Sequence, residues 1–163
     1  MAFMSTGTEN RTVILLAGIL LVLSGLLVTQ LRNQPASDSP EAGFARDMST
    51  HHQQAVEMSL LVRASTDNEE IRTLAYDILN TQATQRGQML GWLDLWGLPQ
   101  SVSQPTMVWA TSSKAAPNPN KRMAGMATKA EMRRLADSSG EEAERLFLEL
   151  MLEHHVGGVG MAE

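Results

Sequence analysis

The chain has 163 residues, 43% of them apolar, and a formal net charge of −5; that suits one domain of roughly 100–150 residues plus one further segment. No basic cluster supplies an electrostatic footprint for nucleic acid. Cysteine is absent, which excludes disulfides, thiolate zinc sites and cysteine nucleophiles, whereas eleven methionines stand against three phenylalanines and one tyrosine.

From Val13 to Thr29 the chain reads VILLAGILLVLSGLLVT, uncharged and bracketed by Arg11 and Arg32. About 20 apolar residues at 1.5 Å each cross a hydrocarbon layer of roughly 30 Å, so this run is just long enough. A helix apolar on every face also suits lipid better than a soluble core. Residues 1–32 are therefore expected to form an uncleaved membrane anchor. The competing reading is a secretory signal, whose apolar stretch normally runs to about 7–15 residues and whose cleavage would fall at the weak Gln34-Pro35-Ala36-Ser37. Both readings export the remainder, so the expected location is the cell membrane, single-pass, with the folded part on the periplasmic or cell-surface side. One arginine at each end leaves the positive-inside comparison nearly tied. Residues 33–39 read as a polar linker.

Residues 40–163 show helical signals and no convincing strand. Ser39, Pro40 and Glu41 supply a cap, a first-turn proline and an early acid, predicting a helix from Pro40 to about Ala64. Ser65-Thr66-Asp67-Asn68 makes a turn and the next cap. A second helix follows, apolar at Ile71, Leu74, Ile78, Met89, Trp92 and Trp96, and stopped by Gly97 and Pro99. The stretch from Leu98 to Ala127, rich in Ser, Pro, Asn and Thr, is expected to be a long surface loop. Thr128-Lys129-Ala130-Glu131 is a capping box opening a short helix that ends near Gly140. Glu141 begins a last helix that reaches at least His155. The predicted class is all-α, a helical bundle behind an N-terminal transmembrane helix.

Phe44 to Met58 aligns without gaps with Phe147 to Met161. Phe44, Met48, His51, His52, Val56 and Met58 recur as Phe147, Met151, His154, His155, Val159 and Met161, and the two copies hold all four histidines of the chain. At 100° per residue Met48, His51, His52, Ala55 and Met58 fall within about 120° of one another. Two such helices facing each other could surround one ion. A methionine stripe in a single copy reads more naturally as core, and a lone His pair as surface; two copies holding every histidine favour ligands.

Thioether sulfur suits Cu(I) and Ag(I), and imidazole accepts copper in both oxidation states, so copper is the expected metal. A carboxylate di-iron bundle would need Glu-x-x-His, which is missing here. The candidate ligands are Met48, His51, His52 and Met58 with Met151, His154, His155 and Met161. Asp47 is a further donor without an equivalent in the second copy, where Leu150 stands. Met123 and Met126, in Met123-Ala124-Gly125-Met126, add two soft donors. Glu57 and Glu153 are expected to face solvent or to orient an imidazole.

These residues resemble the bacterial domain of unknown function family 305 (DUF 305), whose members carry a D-M-x-x-H-H-x-x-A-x-x-M element twice. The resemblance runs from Phe44 to the C-terminus and takes in Gln82, Met89, Trp92, Trp96, Met123-x-Gly125-Met126, Gly158 and Met161. It implies a ferritin-like four-helix bundle, export or anchoring, and copper binding by the Met and His positions. Gln85 departs from the pattern, since an acidic residue usually follows the first glutamine of the second helix. The chain also ends at Glu163 with no second counterpart of Asn68–Trp96, so the expectation is either a truncated piece or an incomplete bundle closed by a further copy or by a membrane-complex partner. The leading expectation is a copper-buffering or copper-resistance protein. The alternative is an accessory subunit of a membrane complex in which Met and His only pack. No Ser-His-Asp arrangement, phosphate loop or carboxylate pair points to an enzyme.

Overall fold

The structure, a computed structural model, describes residues 6–32, 34–110 and 122–162. Among these residues there are five helices and no strand, arranged as two units that divide after Pro35. The first unit is α1 (Thr6–Arg32). Its side chains from Asn10 to Thr29 are exposed, and the helix is long and apolar enough to cross a membrane. Such a helix at an N-terminus suits a signal or an anchor.

The second unit contains α2 (Pro40–Ser65), α3 (Glu69–Leu95), α4 (Lys129–Asp137) and α5 (Gly140–Ala162). Local chemistry sets their ends. The Ser39 hydroxyl accepts the Ala42 N–H at 3.3 Å, with Pro40 in the first turn. Asn68 caps α3 by accepting the Glu70 N–H at 3.1 Å, and Gly97 at φ 66° ends it as the Leu98 N–H returns to the Leu93 carbonyl. Thr128 and Glu131 form the expected capping box, each side chain accepting the other residue's N–H.

All the other helices of this unit pack on α2, and α3 runs back along it as an antiparallel partner. Apolar side chains gather in two clusters. One surrounds Met58, Val62, Leu135, Phe147 and Met151. The other is built on Ala42, Ala45, Leu93 and four methionines, Met48, Met89, Met123 and Met161, with Met107 and Met126 packed against it. Unbranched thioether side chains fill this irregular space where α2, α3, α5 and the loop after α3 meet. The outer face of α5 is open, and Leu148, Leu152, Val156 and Val159 are 43–68% exposed.

The expected surface loop is irregular and exposed from Pro99 to Thr106, and residues 111–121 of it lie outside the described residues, but it is not loose. Its described parts, up to Ala110 and from Arg122, are tied down by buried polar groups of α2. Asp47 Oδ2 accepts the Met107 N–H at 2.6 Å and the Trp109 indole N–H at 2.7 Å. Trp109 meets Phe44 edge-on and lies over Gly43, where any Cβ would strike the indole. Arg46 donates to the carbonyls of Pro99 (2.8 Å) and Ser37 (2.7 Å). Gln54 exchanges two hydrogen bonds with the backbone of Ala127. A polar sequence without periodicity reads as solvent-exposed, yet its backbone groups are satisfied here by side chains far away along the chain.

Removing the Asp47 carboxylate would leave two donors without their charged acceptor. Asp47→Ala should therefore lower the unfolding free energy by about 2–4 kcal/mol in a denaturant titration of the full chain. A loss below about 0.5 kcal/mol would show that the loop is held by other means.

Candidate metal centre

The two copies of the repeat meet where α5 crosses α2. His51 and His154, equivalent in the two copies, are each 1% exposed, and their rings lie 3.6 Å apart between centroids with a tilt of 33°. One step along a helix turns a side chain by about 100°, which swings His52 and His155 out of this contact towards α3. There His52 Nε2 lies 2.9 Å from Gln85 Oε1, and His155 Nε2 lies 3.5 Å from the Gln82 amide nitrogen.

Backbone carbonyls decide where the protons sit. His51 Nε2 is 3.1 Å from the Ala124 carbonyl, His154 Nε2 is 2.8 Å from that of His51, and His155 Nδ1 is 2.8 Å from that of Met151. A carbonyl only accepts, so these nitrogens carry the hydrogen and the opposite nitrogen of each neutral ring keeps a lone pair. Fixing one imidazole nitrogen through a backbone carbonyl is how metal-binding histidines are commonly oriented. His52 Nδ1, His154 Nδ1 and Gln82 Oε1 are buried without any partner.

Close backbone approach makes the arrangement possible. Gly125 adopts φ +75°, and a Cβ there would run into the Glu153 carbonyl of α5; a Cβ on Gly157 would run into the Ala124 backbone. The Met123–Met126 turn thus lies against α5 and presents the Ala124 carbonyl to His51. Gly158 leaves room for the His51 ring, since its Cβ would stand 3.3 Å from His51 Cε1.

Burial makes the imidazoles poor bases. Desolvation pushes His51 down to about 4, against the hydrogen bond to Ala124, which favours the charged form. It pushes His154 down to about 3, with the neighbouring His51 adding to the effect, and lowers His52 as well. The stacked pair is neutral at pH 7, with lone pairs available.

The four histidines line a cleft of about 520 Å³ together with Met48, Met89, Trp92, Gln82 and Gln85. Of the residues expected as ligands, Met48, His51, His52, His154 and His155 come together there. Met123, Met126 and Met161 pack in the cluster that contains Met48 and Met89. Met58 and Met151 belong to the other cluster, and Asp47 lines a separate cleft beside Arg46 and Trp109. Met89, Gln82 and Gln85 were not among the expected ligands. All three lie on α3, which has no counterpart in the repeat, so the repeat carries no signal for them. Among the described residues no three His, Asp or Glu side chains converge as a metal-binding group.

A family model described as "Domain of unknown function (DUF305)" matches residues 41–163. The chain belongs to the DUF305 family. Two solved structures of DUF305 proteins are similar to it. One is from Streptomyces coelicolor, a protein inferred to be secreted, with 59% identity over 78% of this chain and 71% of that one and a TM-score of 0.69. The other is a fragment from Deinococcus radiodurans, with 34% identity over 75% and 73% of the two chains and a TM-score of 0.61. No curated protein gives a significant match.

The buried histidines of this DUF305 protein should impose a pH dependence on stability. Their folded-state values, about 4 and about 3, lie below the ordinary 6.5, so the unfolded chain takes up protons first as pH falls. Stability is full above about pH 6.5 and is lost progressively towards pH 3. Between pH 6.5 and 5 the loss attributable to this pair should be on the order of 3 kcal/mol. A His51→Gln/His154→Gln variant whose stability falls as steeply as that of the wild type would show that the pair is not the cause.

Proposed function

We propose that the protein is an exported, membrane-anchored metal-binding protein that buffers or sequesters copper outside the cytoplasm. The observation that carries this reading is a pair of buried acceptors without donors, His154 Nδ1 and Gln82 Oε1, beside a cleft also lined by the thioethers of Met48 and Met89. A buried lone pair without a partner costs about 1–3 kcal/mol, and a cation relieves it. The donor types fit copper: imidazole nitrogen and thioether sulfur are the ligands that a soft, low-coordinate ion takes, whereas hard cations seek carboxylates and carbonyls. His52 and His154 with Met48 and Met89 would hold the ion, and the His51 carbonyl would keep the His154 ring oriented. The anchor reading rests on α1, with Val13–Thr29 as the spanning segment, and export is supported by the inferred secretion of the Streptomyces relative.

Full-length protein in detergent should take Cu(I) from a weak chromogenic chelator with submicromolar affinity. His52→Ala/His154→Ala should lose most of that uptake, and Met132→Leu, in the other cluster, should keep it. Absence of competition by the wild type would remove the reading.

The exposed stripe of Leu148, Leu152, Val156 and Val159 on α5 favours a second reading, an accessory subunit docked through α5 to a membrane complex. It predicts co-purification at fixed stoichiometry without metal, and elemental analysis of the membrane-extracted protein separates the two.

A further inference from the structure

Among the described residues the cleft gathers many neutral donors. Its walls offer imidazoles, thioethers and the amides of Gln82, Gln85 and Gln88, and among the described residues no Asp, Glu, Lys or Arg lines it. The nearest acid along α2, Asp47, is engaged by Met107 and Trp109 and lines another cleft. Gln82 is 8% exposed, its amide nitrogen lies 3.5 Å from His155 Nε2, and its Oε1 has no partner.

Charge decides which ions such a site accepts. The Born cost of taking an ion out of water rises with the square of its charge, and neutral donors leave that charge uncompensated. Protein sites for divalent ions normally meet this cost with carboxylates or thiolates. A monovalent soft ion incurs about a quarter of that Born cost and gains from thioether sulfur. We infer that the cleft selects monovalent soft cations of the Cu(I) and Ag(I) type over divalent ones, with Gln82 as the residue that sets this selectivity by placing a neutral amide where a carboxylate would fit. The inference rests on the metal-binding reading above and adds the charge class of the cargo.

Gln82→Glu changes the charge and almost nothing of the shape. A negative charge interacts twice as strongly with a divalent as with a monovalent ion at the same distance. Ag(I) and Zn(II) are suitable probes, since neither changes oxidation state. Titrated separately into the full-length protein in detergent, Ag(I) should bind the wild type at least about 100-fold more tightly than Zn(II), given the donor softness and missing counter-charge. Gln82→Glu should shift that ratio towards Zn(II) by about tenfold or more. Gln85→Glu, at the rim beside His52, should shift it in the same direction by less and serves where Gln82→Glu does not fold. Gln53→Glu, a charge on the outer face beside Glu57, should leave the ratio unchanged. With copper, the potential of the bound couple should fall in the Glu variants by about 59 mV per tenfold shift between the two oxidation states.

Equal affinity of the wild type for Zn(II) and Ag(I), or Glu variants that leave the ratio within threefold, would overturn the selectivity while leaving metal binding intact. Binding of neither ion would overturn both.

Discussion

Two neutral imidazoles stacked between α2 and α5 are the contact on which the rest of the molecule depends. Bringing His51 and His154 to 3.6 Å forces the helices so close that the His154 ring donates directly to the His51 carbonyl. Protonation of either ring would place a charge in a space with no counter-charge, and desolvation holds both well below their ordinary values. The requirement then spreads outwards. The remaining His51 nitrogen needs an acceptor, the Met123–Met126 turn supplies it, and that turn can approach only because Gly125 and Gly157 have no side chain.

The methionines follow from the same geometry. A crossing of three helices and a returning loop leaves an irregular volume, and flexible thioethers fill it without demanding one shape. Met48 and Met89 reach both the packed cluster and the wall of the cleft, so one set of side chains supports the fold and borders the donors. A core of this composition needs stabilisation from polar ties. Asp47, Arg46 and Gln54 provide them on one flank, while Glu144 accepts hydrogen bonds from Thr66 and Asn68 at the α2–α3 turn. These buried polar groups carry their partners with them, which is what makes their burial tolerable.

A cleft between helices that is rich in lone pairs and, among the described residues, lined by no Asp, Glu, Lys or Arg is an unusual electrostatic environment. Three acids of the described residues serve other contacts: Asp47 inside a loop anchor, Glu144 at a helix turn, Glu131 in a cap. Val159 belongs both to the open α5 face and to the wall of the cleft, so an element that covers Val159 also bears on access to the cleft.

Much of this was legible in the linear order of residues. Caps, glycine stops and helical periodicity are local, and the ends of α2, α3 and α4 fall within a few residues of where Ser39, Gly97 and Thr128 place them. The repeat, by pairing rare residues in two copies, already identified four histidines and Met48 as neighbours. What only the tertiary structure decided are the relations between distant segments: that Met89, Gln82 and Gln85 of α3 complete the cleft, that Met58 and Met151 turn into the other cluster, and that the stretch after α3 is fastened rather than loose. The physical reason is that a sequence encodes its own periodicities and caps. Which wall a side chain faces, and which carbonyl fixes its proton, depends on the angle at which separate helices cross.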